Sequence, residues 1–341
     1  DIAYGGKGHD HIEMGSGDDL AHQDITVGDN DFLCGGDGND TINYSVTELV
    51  KAVVTNGKKT ITFDAKTFIH ADLEKGYVEK YREGFSQVDK QLIGKDTLKK
   101  FENLIATQGN DIIHMDASDN TVYGLDGDDN INTYAGQDIV VAGKGNDIID
   151  TGEGDDVILQ NIDQENDSID GGTGNDTVNY GVSAFKDNQH HKDKSKISRV
   201  GIQVDLKAGI AFKYITHNNQ LVRQIKDEKN AHLVSDGHEK KDILKNIENI
   251  DATALDDTIL GDNHSNKIKA GAGNDMVNGR EGDDVIDAGD GDDIVYGGSG
   301  SDLIIGGHGH DEIFAGADDD IIMQMVDEEK DKIDGGDGFD I

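Results

Sequence analysis

The sequence predicts an all-β fold in which many short, similar turns stack into a solenoid. Three observations predict it: a repeat of nine residues, an aliphatic residue at one position of that repeat, and an aspartate at another. In repeat arrays of this kind each unit contacts its neighbours, and no unit is stable alone. The fold therefore has to be judged over the whole array rather than from any single segment.

The repeat has the form GGxGxDxUx, where U is a large aliphatic residue and x is variable. Residues 297–305 (GGSGSDLII) are one clean copy. Twenty-two such cells can be placed in the 341 residues. They form three groups, and they start at residues 5, 14, 26 and 35, then at 106, 115, 124, 133, 142, 151, 162 and 171, and finally at 252, 261, 270, 279, 288, 297, 306, 315, 326 and 335.

The eighth position of the cell predicts the core. Of the 21 cells long enough to have this position, 20 carry Ile, Leu or Val, and Ala21 is the exception. A disordered acidic chain has no reason to place aliphatic residues nine apart, so these side chains are interpreted as an interior column. A single cell buries only one of them and cannot offset the entropy of ordering its backbone, so stacking has to stabilise the fold.

The sixth position predicts a cation site. It is Asp in 20 of the 22 cells, with Asn120 and Asn266 as the exceptions. Stacked turns bring these carboxylates close together, which is destabilising unless a cation lies between them. Calcium suits the site because it accepts about six to eight oxygen ligands in loose geometry, whereas magnesium demands a stricter octahedron and zinc prefers nitrogen and sulfur. Glycine at positions one, two and four exposes backbone carbonyls as further ligands.

The composition agrees with a cation as partner. The chain has 70 Asp and Glu against 31 Lys and Arg, a net charge of −39, 45 Gly, and no Pro or Trp. Such a charge disfavours nucleic acid and anionic membrane surfaces as partners. No apolar run approaches the roughly 20 residues that span a bilayer. The single cysteine, Cys34, cannot form an intramolecular disulfide, and we expect a passive thiol.

These cells match the nonapeptide of the RTX (repeats-in-toxin) family, and by that resemblance each cell is half a coil of a right-handed parallel β-roll. The implied fold is tandem β-rolls separated by linker segments that form flanking or capping antiparallel strands. The resemblance also implies that calcium bridges successive turns, with on the order of ten ions in all and the strongest sites at 124–156 and 270–311. The aspartates implied as calcium ligands are Asp10, Asp19, Asp40, Asp111, Asp129, Asp138, Asp147, Asp156, Asp176, Asp275, Asp284, Asp293, Asp302 and Asp311. The glycines implied as carbonyl ligands are Gly127, Gly145, Gly273, Gly282, Gly291 and Gly300.

Two segments, 44–105 and 180–251, interrupt the repeat and carry 24 of the 31 basic residues. Both contain a hairpin-like motif around a glycine, at 71–78 and at 204–211, and both end in Glu-Asn followed by an aliphatic residue. This block-and-linker order resembles the RTX regions of adenylate cyclase toxins and of multifunctional autoprocessing RTX toxins. It implies that the inserts flank and cap the rolls; a receptor-binding surface on them is the alternative. The predicted boundaries are 1–43 for the end of a first block, 44–105 for a linker, 106–179 for a second block, 180–251 for a second linker, and 252–341 for a third, truncated block.

The sequence predicts no catalytic function. His238-Glu239-Lys240-Lys241-Asp242 nearly copies the zinc-protease signature, but it has Asp where the second histidine belongs. There is no nucleophile-elbow GxSxG, and the glycine clusters lack the Lys-Ser or Lys-Thr of a phosphate loop. His190-His191 lies in a lysine-rich stretch and is interpreted as solvent-exposed, with adventitious metal binding as the alternative.

The expected function is that of a calcium-binding module that folds after secretion. In a calcium-poor cytosol the carboxylates repel one another, whereas external calcium binds and folds the chain. The RTX resemblance implies export by the type I secretion machinery, a secreted or host-cell-surface location, and support of toxin folding and of binding to a host-cell receptor. The alternative is a calcium-dependent repeat segment of a large bacterial surface adhesin. Because the chain begins and ends inside a motif, we expect it to be part of a longer protein.

Overall fold

The structure, a computed structural model, describes residues 1–25, 27–45, 50–55, 58–63, 67–83, 90–161, 165–181, 201–213, 240–325 and 330–341. The chain divides into two compact units, residues 1–156 and residues 157–341, and each unit contains one of the two inserts. His190-His191 lies outside the described residues, as does the His238-Glu239 part of the near-copy of the zinc-protease signature.

All regular structure in the described residues is β-strand, and none of these residues forms a helix that could cross a bilayer. The strands of the first unit are β1 (Ile2–Tyr4), β2 (His11–Ser16), β3 (Leu20–His22), β4 (Phe32–Asp37), β5 (Thr41–Asn43), β6 (Val50–Thr55), β7 (Lys58–Phe63), β8 (Thr67–Asp72), β9 (Tyr77–Glu83), β10 (Lys90–Lys99), β11 (Asn103–Ile105), β12 (Ile112–His114), β13 (Thr121–Asp126), β14 (Asn130–Asn132), β15 (Ile139–Lys144) and β16 (Ile148–Asp150). Those of the second unit are β17 (Val157–Leu159), β18 (Ser168–Asp170), β19 (Thr177–Asn179), β20 (Gln203–Asp205), β21 (Ile210–Lys213), β22 (Lys240–Lys245), β23 (Asn249–Asp251), β24 (Thr258–Leu260), β25 (Lys267–Ala272), β26 (Met276–Glu281), β27 (Val285–Asp290), β28 (Ile294–Ser299), β29 (Leu303–His308), β30 (Glu312–Ala317), β31 (Ile321–Met323) and β32 (Lys332–Asp337).

A cell forms a turn and the start of the strand that follows it. In the cell at 279–287 the turn ends at Asp284, and β27 begins at Val285. Partner residues in the regular rolls are 18 apart, because Ile268 pairs with Ile286, and Ile286 with Ile304, in parallel register. The intervening cells pair in the same way in a second sheet. Two cells therefore make one coil, which confirms the predicted parallel β-roll.

Each unit has two sheets, which we call the parallel sheet and the mixed sheet. The strand order of the parallel sheet is β1-β3-β5-β11-β13-β15 in the first unit and β17-β19-β23-β25-β27-β29-β31 in the second. The order of the mixed sheet is β2-β4-β10-β9-β8-β12-β14-β16 in the first unit and β18-β22-β21-β20-β24-β26-β28-β30-β32 in the second. Strands β6 and β7 form a separate antiparallel pair.

The core of each unit is the predicted aliphatic column. Since each cell has a single inward aliphatic side chain at position eight, the column is one residue wide. The members at the outer ends are less covered, because Ile12 and Ile322 are half-buried and Ile333 is exposed. The buried members, each no more than 1% exposed, are Leu33, Ile42, Ile113, Val122, Ile131, Val140, Ile149, Ile158, Ile169, Val178, Ile259, Ile268, Val277, Ile286, Val295, Ile304 and Ile313.

Each insert adds an antiparallel meander to the mixed sheet. In the first unit β10 pairs in parallel with β4, β9 and β8 follow antiparallel, and β8 pairs in parallel with β12. In the second unit β22, β21 and β20 have the same arrangement between β18 and β24. The two predicted hairpins are confirmed, with Gly76 and Gly209 in their turns at φ angles of 71° and 66°.

On the parallel sheet the same inserts add no meander. β5 pairs with β11 and β11 with β13 in the first unit, and β19 pairs with β23 and β23 with β25 in the second. The roll is thus continuous through each insert on one face, and antiparallel strands lie between its coils on the other. The flanking antiparallel strands predicted from the sequence are present, and they flank the coils from within the mixed sheet.

Candidate metal centre

The position-six residues stand at the end of each turn, directly before a strand, and they form two rows in each unit. One row precedes the mixed sheet and the other precedes the parallel sheet, so each coil contributes one residue to each row. The predicted ligands in the rows of the mixed sheet are Asp10, Asp111, Asp129 and Asp147 in the first unit, and Asp275, Asp293 and Asp311 in the second. Those in the rows of the parallel sheet are Asp19, Asp40, Asp138 and Asp156 in the first unit, and Asp176, Asp284 and Asp302 in the second.

A ladder of hydrogen bonds connects the members of each row. The backbone N–H of Asp129 donates to Oδ1 of Asp147 over 2.8 Å, and that of Asp138 donates to Oδ1 of Asp156 over 2.8 Å. The same contact recurs in the second unit, for example from Asp284 to Oδ1 of Asp302 over 2.9 Å. One oxygen of each carboxylate is therefore used to hold the next coil in register.

In many cells the second oxygen, Oδ2, is buried and accepts no hydrogen bond within the chain. A buried carboxylate oxygen without a donor is costly, so it indicates a missing positively charged partner. The position-six residues with such an oxygen include Asp10, Asp19, Asp40, Asp129, Asp138, Asp275, Asp284, Asp293, Asp302 and Asp320.

The position-four glycines predicted as carbonyl ligands lie directly against the backbone of the turn one coil earlier. All six have positive φ, between 115° at Gly282 and 142° at Gly291. A Cβ at Gly145 would overlap the carbonyl oxygen of Gly127, and a Cβ at Gly291 would overlap that of Gly273. Glycine is thus required both for the left-handed backbone and for the close approach of the previous turn.

Burial and like charge make the ionised rows unfavourable when they stand alone. Burial, followed by the charge of Asp111, raises the pKa of Asp129 to about 9, and burial raises the pKa of Asp275 to about 8. Burial also raises the pKa to about 7 in Asp111, Asp138, Asp284, Asp293 and Asp302. A cation that keeps these carboxylates ionised would therefore stabilise the fold directly.

The donor set fits a hard cation with several oxygen ligands. In the part of the chain that the structure describes, no three acidic, histidine or cysteine side chains converge on one point. Each turn instead combines a position-six carboxylate with closely approaching backbone carbonyls. Calcium takes this mixture of carboxylate and carbonyl oxygens with loose angular demands.

Comparison with known proteins decides the family. The model of the RTX calcium-binding nonapeptide repeat matches more than half of the chain, at residues 1–21, 28–43, 101–131, 132–159, 163–182, 251–286 and 287–322. The chain belongs to this RTX family. No curated protein matches it significantly. The RTX repeats make the chain a calcium-binding repeat module, and the position-six rows are its candidate ligands.

Two of the predicted RTX ligands differ from the rest in their hydrogen bonds. Oδ2 of Asp111 accepts from the backbone N–H of Thr107 over 2.8 Å, and its Oδ1 accepts from the N–H of Ile69 over 2.6 Å. Oδ2 of Asp311 accepts from Nε2 of Gln324 over 2.8 Å. Both lie next to departures from the regular cell, so the irregular cells supply donors that the regular RTX cells lack.

Four position-six residues were missed by the RTX cell pattern. The N–H of Asp31 donates to Oδ1 of Asp96, and that of Asp40 donates to Oε2 of Glu102, over 3.0 and 2.8 Å. In the second unit the equivalent acceptors are Asp242 and Glu248. At these four places the sequence lacks the glycines of the cell but keeps its spacing of an acidic residue two positions before an aliphatic residue. The pairs are Asp96 with Leu98, Glu102 with Leu104, Asp242 with Leu244 and Glu248 with Ile250.

The two asparagines at position six are explained by these missed residues. Asn120 follows Glu102 in its row, and its Nδ2 donates to the carbonyl oxygen of Glu102 over 2.9 Å. Asn266 makes the same bond to the carbonyl oxygen of Glu248 over 2.8 Å. An amide therefore replaces a carboxylate at the same point after each insert, which removes one negative charge from that coil.

Replacing Asp284 by Asn should weaken calcium binding without breaking the ladder of hydrogen bonds between coils. The amide oxygen can still accept from the N–H of Asn266, which now donates to Asp284 Oδ1 over 2.7 Å. We expect Asp284→Asn to bind about one or two fewer calcium ions, and the adjacent coils to need about tenfold more calcium, because ligand charge sets affinity. Native mass spectrometry and calcium titration measure the two effects. Asp290→Asn, at an exposed third position, is the control, and equal losses in the two variants would contradict the assignment.

The raised carboxyl pKa values predict that acid partly replaces calcium. A group whose pKa is higher in the folded state, here about 7 to 9 against an ordinary 3.8, stabilises the fold fully below the ordinary value, and this contribution is lost as the pH rises through the folded pKa. In a chelator, lowering the pH from about 8 to about 5.5 should therefore increase β-structure in circular dichroism. With saturating calcium the same change should have little effect. Loss of β-structure on acidification in the chelator would show that the rows do not control folding.

Proposed function

We propose that this chain is the calcium-dependent folding module of a secreted protein. The observation that carries the proposal is the pair of buried carboxylate rows in each unit, in which Oδ2 atoms such as those of Asp129, Asp284 and Asp293 lack a hydrogen-bond donor within the chain. At low calcium, repulsion within the rows and the net charge of −39 favour an unfolded chain. At high calcium, binding to the folded state alone drives folding by mass action.

This switch suits export in an unfolded state. Bacterial cytosol is poor in calcium and the extracellular medium is rich in it, so the same chain is unfolded before export and folded after it. The type I secretion machinery is the export route that the RTX repeats support, and the extracellular side is the proposed location. The repeat contributes no catalytic group in this proposal, because its recurring aspartates and glycines serve the ion and the turn.

A calcium titration of the chain tests the switch. We expect a cooperative gain of parallel β-structure in circular dichroism as calcium rises toward the millimolar range, because single coils are unstable alone. Magnesium at the same concentrations should give a much smaller gain, since its strict octahedron suits the rows poorly. Full β-structure in a chelator at neutral pH would overturn the proposal.

We further propose that the first insert, together with the coils that follow it, supplies a host-cell contact. A row of rings crosses the outer face of the mixed sheet, in which His70 lies 5.8 Å from His114, and His114 lies 6.0 Å from Tyr134. Tyr77 extends the row, and Nζ of Lys95 lies 3.7 Å above its ring. Tyr134 is 42% exposed. Tyrosine is among the side chains enriched in binding hot spots, and the row offers the exposed Tyr134 and the partly exposed Tyr77.

Binding of the calcium-loaded chain to host cells tests this contact. We expect the double variant Lys95→Ala and Tyr134→Ala to weaken saturable binding about tenfold, the size of a hot-spot loss. Tyr123→Ala is the matched control, because Tyr123 is 38% exposed and lies in the parallel sheet, away from the ring row. Circular dichroism in calcium checks that all variants fold. Unchanged binding of the double variant would remove the receptor role from this face.

A further inference from the structure

Among the residues that the structure describes, two lysines are completely buried, one in each insert. Lys80 lies in β9 and Lys213 ends β21, and both side chains have 0% exposure. Nζ of Lys80 lies 2.8 Å from Oδ1 of Asp96 and 3.6 Å from Oδ2 of Asp31. A buried lysine is rare unless it is paired, so each of these ammonium groups has a specific structural role.

The carboxylates around each lysine are consecutive members of a position-six row. The backbone N–H of Asp31 donates to Oδ1 of Asp96 over 3.0 Å, which is the ladder contact of the regular coils. Lys80 therefore lies between the Oδ2 of one coil and the Oδ1 of the next. In the regular coils the corresponding Oδ2 is the buried oxygen that lacks a donor. The ammonium thus takes the place where a regular coil needs a cation.

The second insert repeats this arrangement independently. Nζ of Lys213 lies 2.8 Å from Oδ2 of Asp167 and 2.9 Å from Oδ1 of Asp242. The N–H of Asp167 donates to Oδ1 of Asp242 over 3.0 Å. Lys80 and Lys213 also occupy equivalent places in the two hairpins, because each follows an inward-facing residue, Val78 or Ala211, by two positions. Because the same arrangement occurs in both inserts, it is a regular feature of the insert fold rather than an isolated packing contact.

Neutral donors complete each pair of carboxylates. The hydroxyl of Tyr44 donates to Oδ2 of Asp96 over 2.8 Å, and Nε2 of Gln23 donates to Oδ2 of Asp31. In the second unit the hydroxyl of Tyr180 donates to Oδ2 of Asp242 over 2.8 Å, and Nε2 of Gln160 donates to Oδ2 of Asp167 over 2.9 Å. One ammonium and several hydrogen bonds thus satisfy two buried carboxylates, as buried ion pairs require.

The insert coils also have a larger apolar core than the regular coils. The first insert buries Phe68, Ile69, Val78, Ile93 and Leu98, and the second buries Ile202, Val204, Ala211, Phe212 and Leu244. A regular coil buries its two position-eight aliphatic side chains and, at position one, small residues such as Ala270 and Ala288. The insert coils therefore gain more from apolar burial than the regular coils do.

We propose that Lys80 and Lys213 replace calcium in the two insert coils, so that these coils bind no calcium there and are ordered without it. The inserts are then calcium-independent folding centres to which the calcium-dependent rolls attach. This inference rests on the proposed calcium switch, because it divides the chain into coils that obey the switch and coils that do not.

Hydrogen exchange of the full chain across a calcium titration tests the division. In a chelator we expect protected amides in β9, β10, β21 and β22, whereas β26 to β29 should become protected only when calcium is added. Protection of the insert strands that appears only at the same calcium concentration as that of β26 to β29 would overturn the proposal.

Lys80→Met tests the role of the ammonium. The variant leaves Asp31 and Asp96 buried without their cation, so in the chelator we expect exchange in β9 and β10 to become at least about tenfold faster, and the melting temperature of the first insert to fall by about 10 °C. Lys75→Met is the control, because Lys75 lies in the same hairpin and makes an ion pair, but is 67% exposed. Equal behaviour of the two variants would overturn the proposal.

Two further readouts separate this inference from the calcium switch and from simple misfolding. Adding Asp96→Asn to Lys80→Met removes the unpaired charge, and we expect it to restore most of the lost protection; no recovery would argue against the ammonium's role. The calcium midpoint of β26 to β29 should stay unchanged in Lys80→Met, which shows that the second unit still folds. If the wild-type rolls are already ordered in the chelator, the calcium switch fails, and the difference between Lys80→Met and Lys75→Met still decides the inference.

Discussion

The whole structure depends on how a buried row of carboxylates is neutralised. The nine-residue cell places an acidic side chain at the end of almost every turn, and stacking at an 18-residue spacing brings these groups into two rows in each unit. The ladder of N–H donors uses Oδ1 and fixes the register of the coils, while Oδ2 atoms such as those of Asp129 and Asp284 remain buried without a donor. Since the aliphatic column is only one residue wide, apolar burial alone cannot outweigh an uncompensated row.

The chain solves this problem in two chemically different ways. In the regular RTX coils the cation is calcium from outside, and under the proposed switch we expect their order to follow the calcium concentration. In the insert coils we infer that it comes from within, through an ammonium group that reaches the row from a neighbouring antiparallel strand. A nine-residue cell has no inward position for such a long side chain, because its inward residues are the aliphatic at position eight and a small residue such as Ala270 or Thr133 at position one. The extra strands of the mixed sheet therefore have a physical purpose, since they carry the lysine to the row.

This division gives the inserts a role in the order of folding. A module made only of calcium-dependent coils would have to nucleate several coils and bind several ions at once. Two centres that are ordered beforehand would reduce that barrier, since rolls could grow from an existing edge in both directions along the sheets. The same inserts also carry most of the basic residues, and the first insert contributes His70 and Tyr77 to the ring row that continues to His114 and Tyr134 in the adjoining coils, so folding and partner binding would involve different faces of this region.

The regular part of the fold was predictable because its information is local. Position eight predicted a column that includes Ile131 and Ile286, position six predicted the rows, and the glycines at 71–78 and 204–211 predicted the hairpins; all of these patterns repeat within a few residues. The role of Lys80 was not predictable in this way, and neither was that of Asp96. Asp96 lies 65 residues after Asp31, its cell has no glycine pattern, and a basic residue in a polar strand normally faces solvent.

By itself, then, the sequence determined the repeat, the calcium chemistry and the aliphatic core, because each depends on which residue type recurs at a fixed spacing. Only the tertiary structure decided in which coils a lysine, rather than calcium, neutralises the carboxylates. That distinction depends on the packing of β9 and β21 against distant turns, which places Lys80 and Lys213 between carboxylates that are far apart along the chain.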